Sequence, residues 1–144
     1  MNALHLAVAH PRWTWGAHSL VPVTRDGAET SLRDRLSETE VMGASGYETT
    51  DDPARPGTHV FAMTPEPYWK SEEDAFTPHY TKTPVAAYGD DGGWDTELGL
   101  ETGIVPLSKP SVLWSGNVFQ GIVKLDGEAV SNAEVECYDE AGDA

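Results

Sequence analysis

Glycine and proline set the limits on what this chain can fold into. The 14 glycines and 10 prolines recur at intervals of roughly ten residues, the spacing of short strands joined by turns. Long helices do not survive that punctuation, because proline removes a backbone donor and glycine weakens a helix interior. The stretches between the breaks alternate. Leu4, Leu6 and Val8 alternate with His5, Ala7 and Ala9, a half-buried strand that stops at His10-Pro11. Further strands are expected from His18 to Thr24, ending at Asp26-Gly27, from His59 to Met63, and from Leu100 to Val105. His79 to Tyr88 reads as a strand that Pro84 confines to a sheet edge or a bulge. Residues 29 to 40 offer the one helical turn, with Ser31 as its cap and Leu32 and Leu36 four apart on one face. Thr64 to Pro78 reads as a long irregular loop. The expected fold is therefore all-β, an immunoglobulin-like or transthyretin-like β-sandwich.

Around Pro106 the texture changes. Asn117 to Leu125, the turn Asp126-Gly127, and a strand carrying Ala133, Val135 and Cys137 on its inward face resemble the opening of a transthyretin-like or carboxypeptidase-regulatory sandwich. The matching positions are Gly121, Val123, Gly127, Val130, Ala133 and Val135. A sandwich of that kind needs about seven strands, and only two or three precede Ala144. The expected organisation is one β-sandwich domain over 1–106 and an incomplete second sandwich over 107–144. Exposed strand edges would then be covered by the first domain or by another chain, with a homo-oligomer as one outcome. A chain whose alternating pattern opens almost at Met1 also looks trimmed at its front.

Charge decides which partners to expect. Against 24 Asp and Glu stand 9 Lys and Arg, a formal charge of −15. Such a surface repels phosphate backbones and anionic lipid heads, so neither nucleic acid nor a membrane surface is an expected partner. It attracts cations, although solvation alone also explains an acidic surface. No apolar run reaches the roughly 20 residues of a membrane-spanning helix.

Catalytic patterns are missing. Cys137 is the only cysteine, which excludes internal disulfides and cysteine-rich zinc sites. The sequence holds no nucleophile elbow, phosphate-cradling glycine loop or dinucleotide fingerprint. No enzyme activity is expected. Imidazole is the chemistry worth following, since nickel and zinc favour it with carboxylate as a secondary ligand. His5 and His59 fall within strands and read as structural or solvent-facing. His10 and His18 flank a loop holding Trp13 and Trp15, so a hairpin-like return would bring them together. His79 follows Glu72, Glu73 and Asp74, a mixture of oxygen and nitrogen donors that suits a cation or simply a solvated acidic loop. Trp13, Trp15, Tyr68, Trp69, Trp94 and Trp114 read as core and loop anchors, or otherwise as a platform for sugar rings.

The segment Pro67-Tyr-Trp-Lys-Ser-Glu-Glu-Asp-Ala-Phe-Thr-Pro-His-Tyr-Thr-Lys82 resembles the P-Y-W-x-x-x-E-D-x-F-x-x-H-Y-T-K motif of a bacterial periplasmic family. Its members accompany energy-coupling-factor-type nickel and cobalt transporters as an extra soluble component. Similarity continues through Gly93-Trp94-Asp95, Gly99 to Thr102, Ile104 to Leu107, Gly116 to Gly121, Leu125 to Gly127 and Ala133 to Glu136. Upstream, Leu4 to Pro11 resembles the family's early strand ending in His-Pro. The resemblance is dense from Thr64 to Glu136 and thin from Arg12 to Gly57.

What it implies is an exported protein, periplasmic or extracellular, that binds Ni2+, with Co2+ and Zn2+ as alternatives, and serves membrane transporter components. Carried onto this chain, the metal donors are His10, His18, Glu73, Asp74 and His79. The family's leader and its histidine-bearing mature N-terminus would lie before Met1. The rival expectation is a structural or adhesive β-sandwich module of a surface assembly, completed by strands of a partner chain.

Overall fold

The computed structural model describes residues 4–9, 19–23, 28–41, 43–53, 55–89 and 92–138. Among them are eleven β-strands and two single 3-10 turns, and no α-helix. The strands are β1 (Leu4–Ala9), β2 (Ser19–Val23), β3 (Ser37–Val41), β4 (Ala44–Asp51), β5 (Gly57–Thr64) and β6 (Tyr68–Lys70). They continue with β7 (Ala75–Thr77), β8 (Thr81–Ala87), β9 (Thr102–Pro106), β10 (Gly121–Leu125) and β11 (Glu128–Ala129). They form sheets in the orders β1-β4-β3, β2-β5-β8 and β11-β10-β9, together with the ribbon β6-β7. Every described pairing is antiparallel. None of the sheets closes into a barrel. The architecture is all-β, of the β-sandwich class that the glycine and proline spacing implies.

Strand β5 holds the core. Flanked by β2 and β8, it is buried on both faces from Gly57 to Met63, which is why Thr-His-Val-Phe-Ala-Met can run with so little polar relief. Phe61 and Met63 on one face pack with Leu32, and Leu36 and Val85 close the rim of that cluster. His59 points to the same side and is buried. Its Nε2–H donates to the carbonyl of Arg55 at 2.9 Å, so this histidine is structural, as its strand position suggested. Pro84 pairs opposite Val60 from the edge strand β8, where a missing N–H costs nothing on the open side.

One local expectation is met only in part and another fails. The helical turn expected over residues 29 to 40 shrinks to three residues, with the Ser31 hydroxyl accepting from the Arg33 N–H at 3.4 Å. Only Arg33–Arg35 makes a 3-10 turn, and Ser37–Val41 leaves it as β3, paired with β4. Leu32 and Leu36 do share a packing site, but tertiary contact with β5 brings them together rather than helical periodicity. The 133–137 strand is also absent. β10 turns at Asp126-Gly127 into β11, and the ladder's last contact is Val130 N–H to Val123 C=O at 2.9 Å. Asn132, with φ +59°, then turns the chain away. Cys137, expected to be packed, is consequently exposed.

Candidate functional site

Within Thr64 to Pro78, expected to be irregular, Tyr68 to Thr77 forms an ordered hairpin. Tyr68-Trp69-Lys70 and Ala75-Phe76-Thr77 are short runs with two aromatic β-formers, and they pair Tyr68 with Thr77, Trp69 with Phe76 and Lys70 with Ala75. The indole of Trp69 and the ring of Phe76 meet edge to face across the ribbon, centroids 5.1 Å apart. Both are exposed, and so is Trp114. Of the expected roles as core and loop anchors, the core one is thereby excluded for Trp69 and Trp114.

Glu72, Glu73 and Asp74 sit exposed in the four-residue turn at the ribbon's tip. Glu73 accepts an ion-pair contact from Lys70, which holds the Lys70 ammonium above its ordinary pKa. Asp74 takes a left-handed backbone, φ +51°, which short side chains that hydrogen-bond locally tolerate. His79 lies beyond the other end of the ribbon, past Thr77 and Pro78. Its exposed ring stacks on Tyr68 with centroids 5.2 Å apart and planes 10° from parallel. The tip acids and this imidazole thus sit at opposite ends of the hairpin, and among the described residues no three His, Cys, Asp or Glu side chains gather as a metal site. His10 and His18 lie outside the described residues.

Past His79 the chain is tied to β9 and to the segment before it. The Tyr80 hydroxyl donates to Glu101 Oε2 at 2.7 Å. That bond, and then partial burial, raise the phenol above the usual tyrosine pKa. Lys82 Nζ donates to the carbonyl of Ile104 at 2.5 Å, and burial lowers the ammonium's pKa. Nearby, Lys124 of β10 pairs with Glu97 at 2.6 Å. Tyr80 and Lys82 belong to the motif, but nothing in its spacing signals that they bond to residues about 20 positions away.

The fold and this hairpin define a small acidic all-β domain with two exposed aromatic rings on a two-stranded ribbon and one exposed imidazole just beyond it. No helix among the described residues is long and apolar enough to cross a membrane. The chain belongs to the DUF4198 family, a domain of unknown function whose model matches residues 4–143. No curated protein and no solved structure shows significant similarity to it.

Proposed function

We propose that this chain is a non-catalytic, periplasmic metal-binding accessory for nickel or cobalt uptake, presenting imidazole to the ion outside the cytoplasmic membrane and passing it to membrane transporter components. The observation carrying this is His79, exposed at the base of the hairpin that bears the family-like motif. One imidazole and separated carboxylates do not complete a coordination sphere, so the described donors alone do not fit a metal site. Further imidazoles are required, and strand register supports where they come from. Ser19, which follows His18, pairs with Thr64, while Thr81, two residues after His79, pairs with Met63. The strands following His18 and His79 therefore enter the β5 sheet at the same end, on either side of β5. Glu73 and Asp74, out at the ribbon's tip, serve in this reading as auxiliary acids that concentrate cations. The division into a domain over 1–106 and the start of a second over 107–144 accompanies this reading, with the two parts sharing the β9–β10 ladder.

Calorimetric titration of the chain with Ni2+ tests it, with Co2+ and Zn2+ in parallel to identify the metal. The expected result is one saturable event near one ion per chain. His79→Ala should weaken it by at least the roughly tenfold that loss of even a supporting partner costs a metal site. No saturable uptake by the chain would remove the proposal.

A second reading rests on exposed apolar side chains. Trp114 is 81% exposed, Val118 74% and Tyr138 61%, with Phe119, Val130 and Val135 also open to solvent. An adhesive or structural β-module, completed by strands of a partner or of a second copy, would cover them. Solution mass separates the two readings: an obligate oligomer indifferent to chelators supports the second, and a nickel-binding monomer the first.

A further inference from the structure

Between β8, the 97–101 segment, β9 and the β10–β11 turn lies a cleft of about 380 Å3, within the size range of small-molecule sites. A second hollow of about 520 Å3 shares Lys82, Leu100, Gly103 and Ile104 with it. The charges lining the first cleft are only partly committed. Lys124 and Glu97 neutralise one another at 2.6 Å. Glu101 accepts the Tyr80 hydroxyl.

Lys82 and Asp126 remain. The Lys82 ammonium carries three donors, one of which goes to the Ile104 carbonyl, and Glu97, ion-paired with Lys124, attracts it without forming an ion pair with it. The Asp126 backbone N–H is taken by the Glu101 carbonyl at 2.7 Å, while its carboxylate makes no hydrogen bond or ion pair among the described residues. Leu98, Leu100 and Ile104 supply apolar wall. The cleft thus offers an ammonium and a carboxylate, neither in an ion pair among the described residues, beside an aliphatic surface.

That combination selects a ligand class. Three carboxylates face two ammonium groups, so a simple anion meets net repulsion, and Lys82 opposes a simple cation. A ligand bearing both signs gives the partly buried Lys82 ammonium a carboxylate partner and the exposed Asp126 carboxylate an ammonium. We propose that this cleft binds a free amino acid with a small aliphatic side chain, its carboxylate on Lys82, its ammonium toward Asp126 and its side chain against the leucines. None of these residues is among the proposed metal donors, so the inference stands apart from the nickel reading.

Calorimetry of the full chain with L-leucine tests it, alongside 4-methylpentanoate, which lacks the ammonium, and isoamylamine, which lacks the carboxylate. Leucine should saturate, and each analogue should bind about tenfold more weakly or worse, the loss expected when one charge-assisted bond is removed. Lys82→Met and Asp126→Asn should each weaken leucine by a similar factor. A second readout needs no variant: leucine should protect Lys82 from amine labelling by trinitrobenzenesulfonate, mapped by mass spectrometry. If Lys82→Met fails to fold, that protection decides. Absence of both leucine binding and protection overturns the proposal, as does equal binding of leucine and its analogues, or undiminished binding by folded Lys82→Met.

Discussion

Leu32 is the residue whose loss should cost this fold the most for its size. It belongs to no strand, yet its side chain is completely buried and forms one cluster with Phe61 and Met63 of β5. Truncation to alanine removes the transfer free energy of the lost carbons and leaves a cavity, together about 2–5 kcal/mol for leucine. Where the value falls depends on how far the surroundings collapse. Leu36 and Val85 at the rim are only partly buried and can lean inward, which places the expectation toward the lower half, about 3 kcal/mol. In a chain of 144 residues, each kcal/mol shifts the melting temperature by about 3 °C, so Leu32→Ala should melt roughly 9 °C lower.

Val112→Ala is the matched control, because Val112 is 54% exposed and its truncation should stay within about 0.5 kcal/mol. Urea denaturation with an unchanged slope, checked by calorimetric melting, measures both. A Leu32→Ala shift no larger than that of Val112→Ala would mean that the 28–36 segment does not dock on β5. The core described above would then be wrong.

Two other substitutions probe the second half of the chain. A Cβ on Gly121 would lie 2.6 Å from Ile104 Cγ2 and 3.2 Å from the Val105 carbonyl, so Gly121→Ala should cost about 1–3 kcal/mol by overpacking the β9–β10 ladder; an unchanged urea midpoint would show that the ladder is not held at that spacing. Tyr80→Phe should destabilise in a pH-dependent way. The Glu101 bond raises the folded phenol's pKa above the ordinary 10.0, so its contribution is fully present below pH 10 and is lost as pH rises through the higher folded value. Lys82, with its lowered pKa, gives the opposite slope just below its ordinary value, but it is present in both proteins and cancels in the comparison. A wild-type advantage that persists undiminished at pH values where Tyr80 is ionised in the fold would contradict the assigned bond.

How much of this was legible in the sequence varies by element. Asp126-Gly127 announced a turn, and the structure gives it φ of +49° and +80° across a two-residue β10–β11 connection, the backbone that Asp-Gly favours. Pro84 announced an edge, and β8 is one. Residues 29 to 40 misled because Leu32 and Leu36 mimic helical spacing, while Ser-Glu-Thr-Glu-Val carries its own alternation and a partner in β4 to satisfy it. Pro65 and Pro67 concealed a hairpin whose two strands have three residues each, too short for periodicity to register. At the site, His79 was visible as a residue type, but its stacking on Tyr68 was not. The cleft was invisible, because residues 82, 97, 101, 124 and 126 meet only through the β9–β10 register and the loops around it.

The acidic surface and the imidazole make separable contributions to any metal uptake. A charge of −15 concentrates cations and speeds their encounter, yet at physiological ionic strength it reaches only about 8 Å from each exposed group. It also does not distinguish nickel from magnesium. Affinity and selectivity must come from nitrogen donors, whose bonds to the ion are short-ranged and barely screened. Raising salt should therefore slow nickel capture while leaving its stoichiometry intact if His79 belongs to the site. Binding that vanishes with salt, and that magnesium displaces as readily as cobalt does, would reduce the metal reading to counterions gathered on an acidic sandwich.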